Sequence, residues 1–134
     1  MLHKTYSVKE GETMFIDVEF YELADGTEPV RNFLESLEPK LKAKMFREID
    51  LLMANGPDLR MPHSRSVEDG IFELRAKQGT DISRVLYFFF FGKKAILANG
   101  FIKKSQKTPQ KELALAKKYR DDYCECQKKA GGKE

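Results

Sequence analysis

The chain has little of what most catalytic chemistries are built from. It has two cysteines in 134 residues, Cys124 and Cys126. They can supply neither a disulfide framework nor the four ligands of a structural zinc site. Two apart on a helix, they also point in different directions. The two histidines, His3 and His63, would form a two-histidine ribonuclease site only if the unpatterned N-terminal segment folded into it. There is no phosphate-binding glycine loop, no Gly-x-Ser-x-Gly elbow, no His-Glu-x-x-His and no Cys-x-x-Cys. The longest uninterrupted apolar run, Val85–Phe91, falls far short of the ~20 residues a membrane helix needs. Met1–Thr5 has no apolar core that would serve as a signal peptide. These absences predict a soluble cytoplasmic protein that binds no membrane and needs no metal or cofactor.

What is present describes one globular unit. A chain of 134 residues with 41% hydrophobic and 11% aromatic content is the size of a single domain and too apolar for disorder. It has no internal repeat and no interdomain linker. The net charge of +3 conceals an asymmetry. Residues 1–60 carry 8 Lys/Arg against 12 Asp/Glu, and residues 61–134 carry 16 against 9. Between Gly92 and Arg120 stand nine bases and one acid, Glu112. Such a concentration suits a face that meets phosphates or an acidic protein.

Patterning predicts the elements in turn. Met1–Thr13 reads as a loosely ordered lead-in, and Met14–Tyr21 alternates as a half-buried strand. Asp25-Gly26 turns the chain into a helix opened by Pro29, with Val30, Phe33, Leu34 and Leu37 on its apolar face. Pro39 starts a second helix, which carries Leu41, Met45, Phe46, Ile49, Leu52 and Met53 to a stop at Asn55-Gly56-Pro57. Asp58–Gly70 reads as a loop. Ile71–Lys77, Ser83–Phe91 and Lys94–Ile102 read as three strands, the middle one apolar enough to be covered on both faces. Thr108-Pro109 supplies an N-cap and first-turn proline for a last helix through about Tyr123, and Lys128–Glu134 reads as a loose tail. The order β-α-α-β-β-β-α predicts an α+β domain. Its twisted, mostly antiparallel sheet of about four strands would carry the helical hairpin on one face and leave the other face or its rim for function.

The candidate chemistry is a basic set fixed to strand ends. Glu73 and Arg75 share one face of their strand, opposite Phe72 and Leu74. Arg84 begins the central strand. Lys103, Lys104 and Lys107 follow the last one, and His63 and Arg65 lie in the preceding loop. Bases at adjacent strand ends can hold a phosphodiester at several points. Alternatively, Arg75 pairs with Glu73 or Asp81 and the lysines are merely solvated.

Three ordered blocks carry a resemblance: Gly70-Ile71-Phe72-Glu73-Leu74-Arg75, then Arg84-Val85-Leu86-Tyr87, then Asn99-Gly100-Phe101-Ile102-Lys103-Lys104 running to Thr108-Pro109. Together they resemble the RelE/ParE toxin superfamily, most closely its phage-type HigB-like branch, from Asp69 to about Tyr123. The resemblance implies a small RelE-like fold and the toxin of a type II toxin–antitoxin pair. Typical members enter the ribosomal A site and cut mRNA there by attack of the ribose 2′-OH. Their antitoxin usually carries a helix-turn-helix DNA-binding domain. By the same resemblance Arg75, Arg84 and Lys104 would be catalytic, the two arginines on the phosphate and Lys104 in proton transfer. Lys103, Lys107, His63, Arg65 and Glu73 would bind substrate, with His63 a further proton-transfer candidate. The chain departs from RelE itself at Ile71 and Glu73, where that enzyme carries bases, and after Lys104, where its tyrosine has no match. A ParE-like poison of DNA gyrase, or a degenerate member that only binds its antitoxin, shares the same fold.

Overall fold

The computed structural model describes residues 16–103 and 107–131. Among them five strands form one mixed sheet: β1 (Asp17–Phe20), β2 (Ser64–Glu68), β3 (Ile71–Gln78), β4 (Asp81–Phe90) and β5 (Lys94–Lys103). Its spatial order is β1-β5-β4-β3-β2. The pairs β2–β3, β3–β4 and β4–β5 are antiparallel, and β1 joins β5 in parallel. Three α-helices complete the unit: α1 (Pro29–Ser36), α2 (Pro39–Asn55) and α3 (Gln110–Gly131). The α+β class and the helical hairpin follow the sequence reading. The sheet is larger than the expected four strands.

The additional strand is β2, which lies inside the stretch read as a loop. Its sequence, Ser64-Arg65-Ser66-Val67-Glu68, holds one apolar residue, as suits an edge strand half open to water. A signal was nevertheless there. Asp69-Gly70 connects Glu68 to its partner Ile71, with φ of 52° and 77°. This two-residue, doubly positive turn is the one that Asp-Gly favours in hairpins. At the N-terminal end the strand is shorter than Met14–Tyr21: it spans Asp17–Phe20, and Met14 and Phe15 lie with Met1–Thr13 outside the described residues. The last helix runs past Tyr123 to Gly131, so Lys128–Gly131 is helical rather than loose.

The hairpin face of the sheet is hydrocarbon. Val18, Phe20, Leu74, Ala76, Val85 and Leu97 pack against Val30, Leu34, Leu41, Met45, Ile49 and Leu52. Pro29 and Pro39 sit at the first helical positions, where a missing N–H costs nothing. Gly100 lets α1 approach β5, since a Cβ there would fall 2.3 Å from the Phe33 ring. On the opposite face, α3 lays Leu113, Ala116 and Tyr123 over Ile71, Leu86, Phe88, Ile96 and Phe101. Polar contacts fix its course. The Tyr21 hydroxyl donates to Asp122 (2.5 Å), Lys117 pairs with Glu68 (2.6 Å), and Arg120 pairs with Asp69 (3.1 Å). With Lys94 held by Glu19 at 3.0 Å, three of the described bases between Gly92 and Arg120 are therefore engaged in ion pairs. The basic run is partly a structural device rather than wholly a free face. No helix among the described residues is long and apolar enough to cross a membrane.

Candidate active site

Beyond the reach of α3, the same sheet face carries charge instead of hydrocarbon. Alternation places Glu73 and Arg75 on this face, and register sets Arg84 directly opposite Arg75 and Arg65 directly opposite Glu73. The result is one carboxylate ringed by three guanidiniums. Glu73 Oε2 lies 3.3 Å from Arg75 Nε and 3.5 Å from Arg84 Nε, and Oε1 lies 3.3 Å from Arg65 Nη2. The Thr108 hydroxyl donates to Oε1 at 2.8 Å and accepts from Arg65 at 3.3 Å. Thr108 was expected as a helix N-cap; its hydroxyl serves Glu73 instead.

Exposure sorts these residues. The Glu73 and Arg84 side chains are completely buried, Arg75 is 15% exposed and Arg65 35%. Burial pushes the Arg84 guanidinium below its ordinary range; Glu73 opposes the shift, and Arg75 and Arg65 add to it. Three cations around one anion in a dry setting hold together only while the anion stays. Arg84 as it stands presents nothing to a ligand, and its charge reaches the surface through Glu73 and Arg75. Replacing Arg84 by Ala would disturb the fold as well as any chemistry.

Arg75 also belongs to the lining of a cleft of about 290 Å³, together with Lys44, Arg47, Glu48, Pro62, His63, Ala76 and Lys77. His63 is placed there by backbone pairing. The Arg75 N–H donates to the His63 carbonyl at 2.9 Å, extending the β2–β3 ladder one residue past Ser64. The His63 ring is held by α2: its Nδ1 lies 2.8 Å from Glu48 Oε1. A carboxylate can only accept, so Nδ1 donates, and in the neutral ring Nε2 is left as the proton acceptor. One cleft thus brings together an oriented imidazole and four cations.

Lys44, Arg47 and Glu48 were not singled out in the sequence. Their spacing of i, i+3 and i+4 puts them on one face of α2, and that was the available signal. Lys107 is placed elsewhere, in a second groove of about 420 Å³ between β2 and the start of α3, with Arg65, Glu68 and Thr108. Lys103 ends β5 opposite Ile82. Lys104 lies outside the described residues. Tyr87 is in the hairpin-side core with its hydroxyl 2.6 Å from Ser64 Oγ, on the opposite face from Arg75. Among the described residues no group of three or more His, Cys, Asp or Glu is arranged to hold a metal ion.

A family model described as "Phage derived protein Gp49-like (DUF891)" matches residues 32–121. The match begins inside α1 and ends inside α3, so it takes in the helical hairpin, the strands β2 to β5 and every described residue of the cleft. No curated protein matches the chain.

Proposed function

The chain belongs to the phage-derived Gp49-like family, a family of RelE/HigB-like toxins, and from that membership we propose that it is the toxin of a toxin–antitoxin pair that cuts mRNA on the ribosome. The observation that carries this reading is the cleft in which His63, oriented by Glu48, faces the same space as Arg75, Lys44, Arg47 and Lys77. Phosphodiester cleavage by the neighbouring 2′-OH needs an acceptor for that proton and positive charge on the crowded phosphate. His63 Nε2 is the acceptor. Arg75 and the lysines hold the phosphate oxygens, and Arg84 and Glu73 act behind Arg75 as positioning residues. Glu48 positions the imidazole in turn. Lys104, where the family resemblance implies proton transfer, is the second such group and serves the leaving 5′-oxygen. Lys103, Lys107 and Arg65 extend the basic track along which the message lies. The cognate antitoxin, a helix-turn-helix protein, silences the toxin by binding it, and the ribosomal A site orients the message.

The test is to add purified protein to a cell-free translation reaction containing end-labelled message, and separately to the naked message. Cuts at codon-periodic positions on translated message alone are expected. Cuts on naked message would keep the nuclease and remove the ribosome from its mechanism. A demonstrably toxic preparation that cuts neither would redirect the search to DNA gyrase.

A further inference from the structure

The hairpin between β4 and β5 is built in a conformation its sequence does not favour. The Lys93 N–H donates to the Phe90 carbonyl at 3.1 Å, closing a four-residue turn around Phe91 and Gly92. Both central residues have positive φ, 54° and 68°. Asn, Asp or Gly normally takes the first of these positions, and the β2–β3 hairpin of this same chain uses Asp69 there. A bulky aromatic residue at positive φ is a conformational outlier of the sort found at ligand contacts. Gly92 answers the backbone requirement alone, since a Cβ there would meet nothing within 4 Å. Packing does not ask for the Phe91 ring either: it is 83% exposed and belongs to neither hydrophobic cluster.

The surroundings point to a ligand class. The Phe91 ring lies 4.5 Å from that of Phe90, and Lys94 Nζ lies 6.0 Å from the Phe90 centroid. Lys93 beside it is exposed. The other exposed large apolar residues among those described are Met61, beside the Arg75 guanidinium, and Ile102, paired with Ser83 at the far end of β4. Phe91 is thus the exposed outer member of a ring pair with half-buried Phe90, beside the exposed Lys93, while Lys94 is paired with Glu19. An exposed ring next to a cation suits the stacking of a nucleic-acid base.

We propose that Phe91 is an RNA-stacking residue. The tip of the β4–β5 hairpin receives one unstacked base of single-stranded RNA on the Phe91 ring, with Lys93 on the adjoining phosphate. The tip lies seven residues along the chain from Arg84, about 23 Å at strand rise, so this nucleotide is a few removed from the one in the cleft. The proposal rests on the RNA-directed reading of the chain and adds to it a second contact, remote from the chemistry.

The experiment compares wild type, Phe91→Asn and Phe91→Trp. It measures fluorescence anisotropy with a labelled single-stranded oligoribonucleotide of about a dozen nucleotides and, in parallel, thermal midpoints. Phe91→Asn relieves the turn, so its midpoint should equal or exceed that of wild type, while its RNA affinity falls about tenfold, the loss of one stacked base. Phe91→Trp should retain the wild-type affinity. Unchanged affinity in Phe91→Asn would overturn the proposal, as would equal weakening in Phe91→Trp, a lowered midpoint in Phe91→Asn, or a loss confined to binding a protein partner. Failure of the nuclease reading is distinguishable. Wild type that binds RNA through Phe91 but cuts no translated message keeps the tip and loses the nuclease; full cleavage with Phe91-independent binding does the reverse.

Discussion

On the face that meets the helical hairpin, β3 and β4 present Leu74, Ala76 and Val85 to Leu41, Met45 and Ile49; on the face that meets α3, the same two strands bring Glu73 and Arg84 to complete burial beside Ile71 and Leu86. The first face gains stability by removing hydrocarbon from water, which is non-directional and tolerant of small shifts. The second holds charges that are stable only as a set, in fixed geometry, because each buried ion depends on the others. The contrast separates the two tasks of the sheet. The hydrocarbon face makes the fold, and the ionic face fixes Arg75, which also lines the cleft.

The sharpest way to break the comparison is at neighbouring residues of β3. Glu73→Ala removes the buried carboxylate that lies against Arg84 and Arg75, and folding stability should fall by about 3–5 kcal/mol in urea titrations. Leu74→Ala, one residue on and facing the other way, should cost about 2–5 kcal/mol by cavity formation. A double substitution, Glu73→Leu with Arg84→Met, should recover part of the first loss, because apolar replacement of a buried ion pair is often neutral. Glu73→Ala with wild-type stability would show that the arginines find other partners and that the ionic set is not structural.

Next in size are the chemical effects, in which stability and function should part. Arg75→Ala should lower cleavage of translated message by roughly 10²–10³, and His63→Ala by roughly 10²–10⁴. Both should leave the far-ultraviolet circular dichroism of the wild type. Glu48→Gln, which keeps the shape but not the charge beside His63 Nδ1, should lower the rate less than His63→Ala and leave substrate binding unaltered. Wild-type cleavage by His63→Ala would remove the imidazole from the mechanism while leaving the arginine site to be judged on Arg75→Ala.

The smallest effect concerns how α3 is tied down. Burial, and then the hydrogen bond to Asp122, raise the Tyr21 hydroxyl above its ordinary pKa of about 10. A group whose folded-state pKa is raised contributes stability that is fully present below the unfolded value and lost as pH climbs past it. Stability should therefore decline above about pH 10, and Tyr21→Phe should flatten that decline. Tyr87 and Tyr123, also raised by burial, leave a residual slope. An unchanged alkaline profile in Tyr21→Phe would place the anchoring of α3 in its other contacts, among them Lys117, Arg120 and Glu112.

The strand alternation of Ile71–Lys77, the apolar run of β4 and the proline-opened helices were legible because each is a local pattern whose physical cause lies within a few residues. The edge strand β2 was missed because four of its five residues are polar, although the Asp69-Gly70 turn that follows it was a direct signal. Within the candidate site, Arg75 and Glu73 were found as a same-face pair. Arg65 and Arg84 were also named as site residues, but not as partners of Glu73, since they and Thr108 arrive from three other parts of the chain.

The sequence by itself determined the α+β class, the basic character of the C-terminal half and the residue types available for phosphate chemistry, because periodicity and composition act over short stretches of chain. Only the tertiary structure decided which of those residues reach solvent. Register sets Arg84 opposite Arg75 and beside Glu73, burying it, while α2 carries Glu48 to His63 across fifteen residues of chain and opens the cleft. Burial and ion pairing depend on what the fold brings close, and elements distant in sequence meet only when hydrophobic packing has fixed their relative positions.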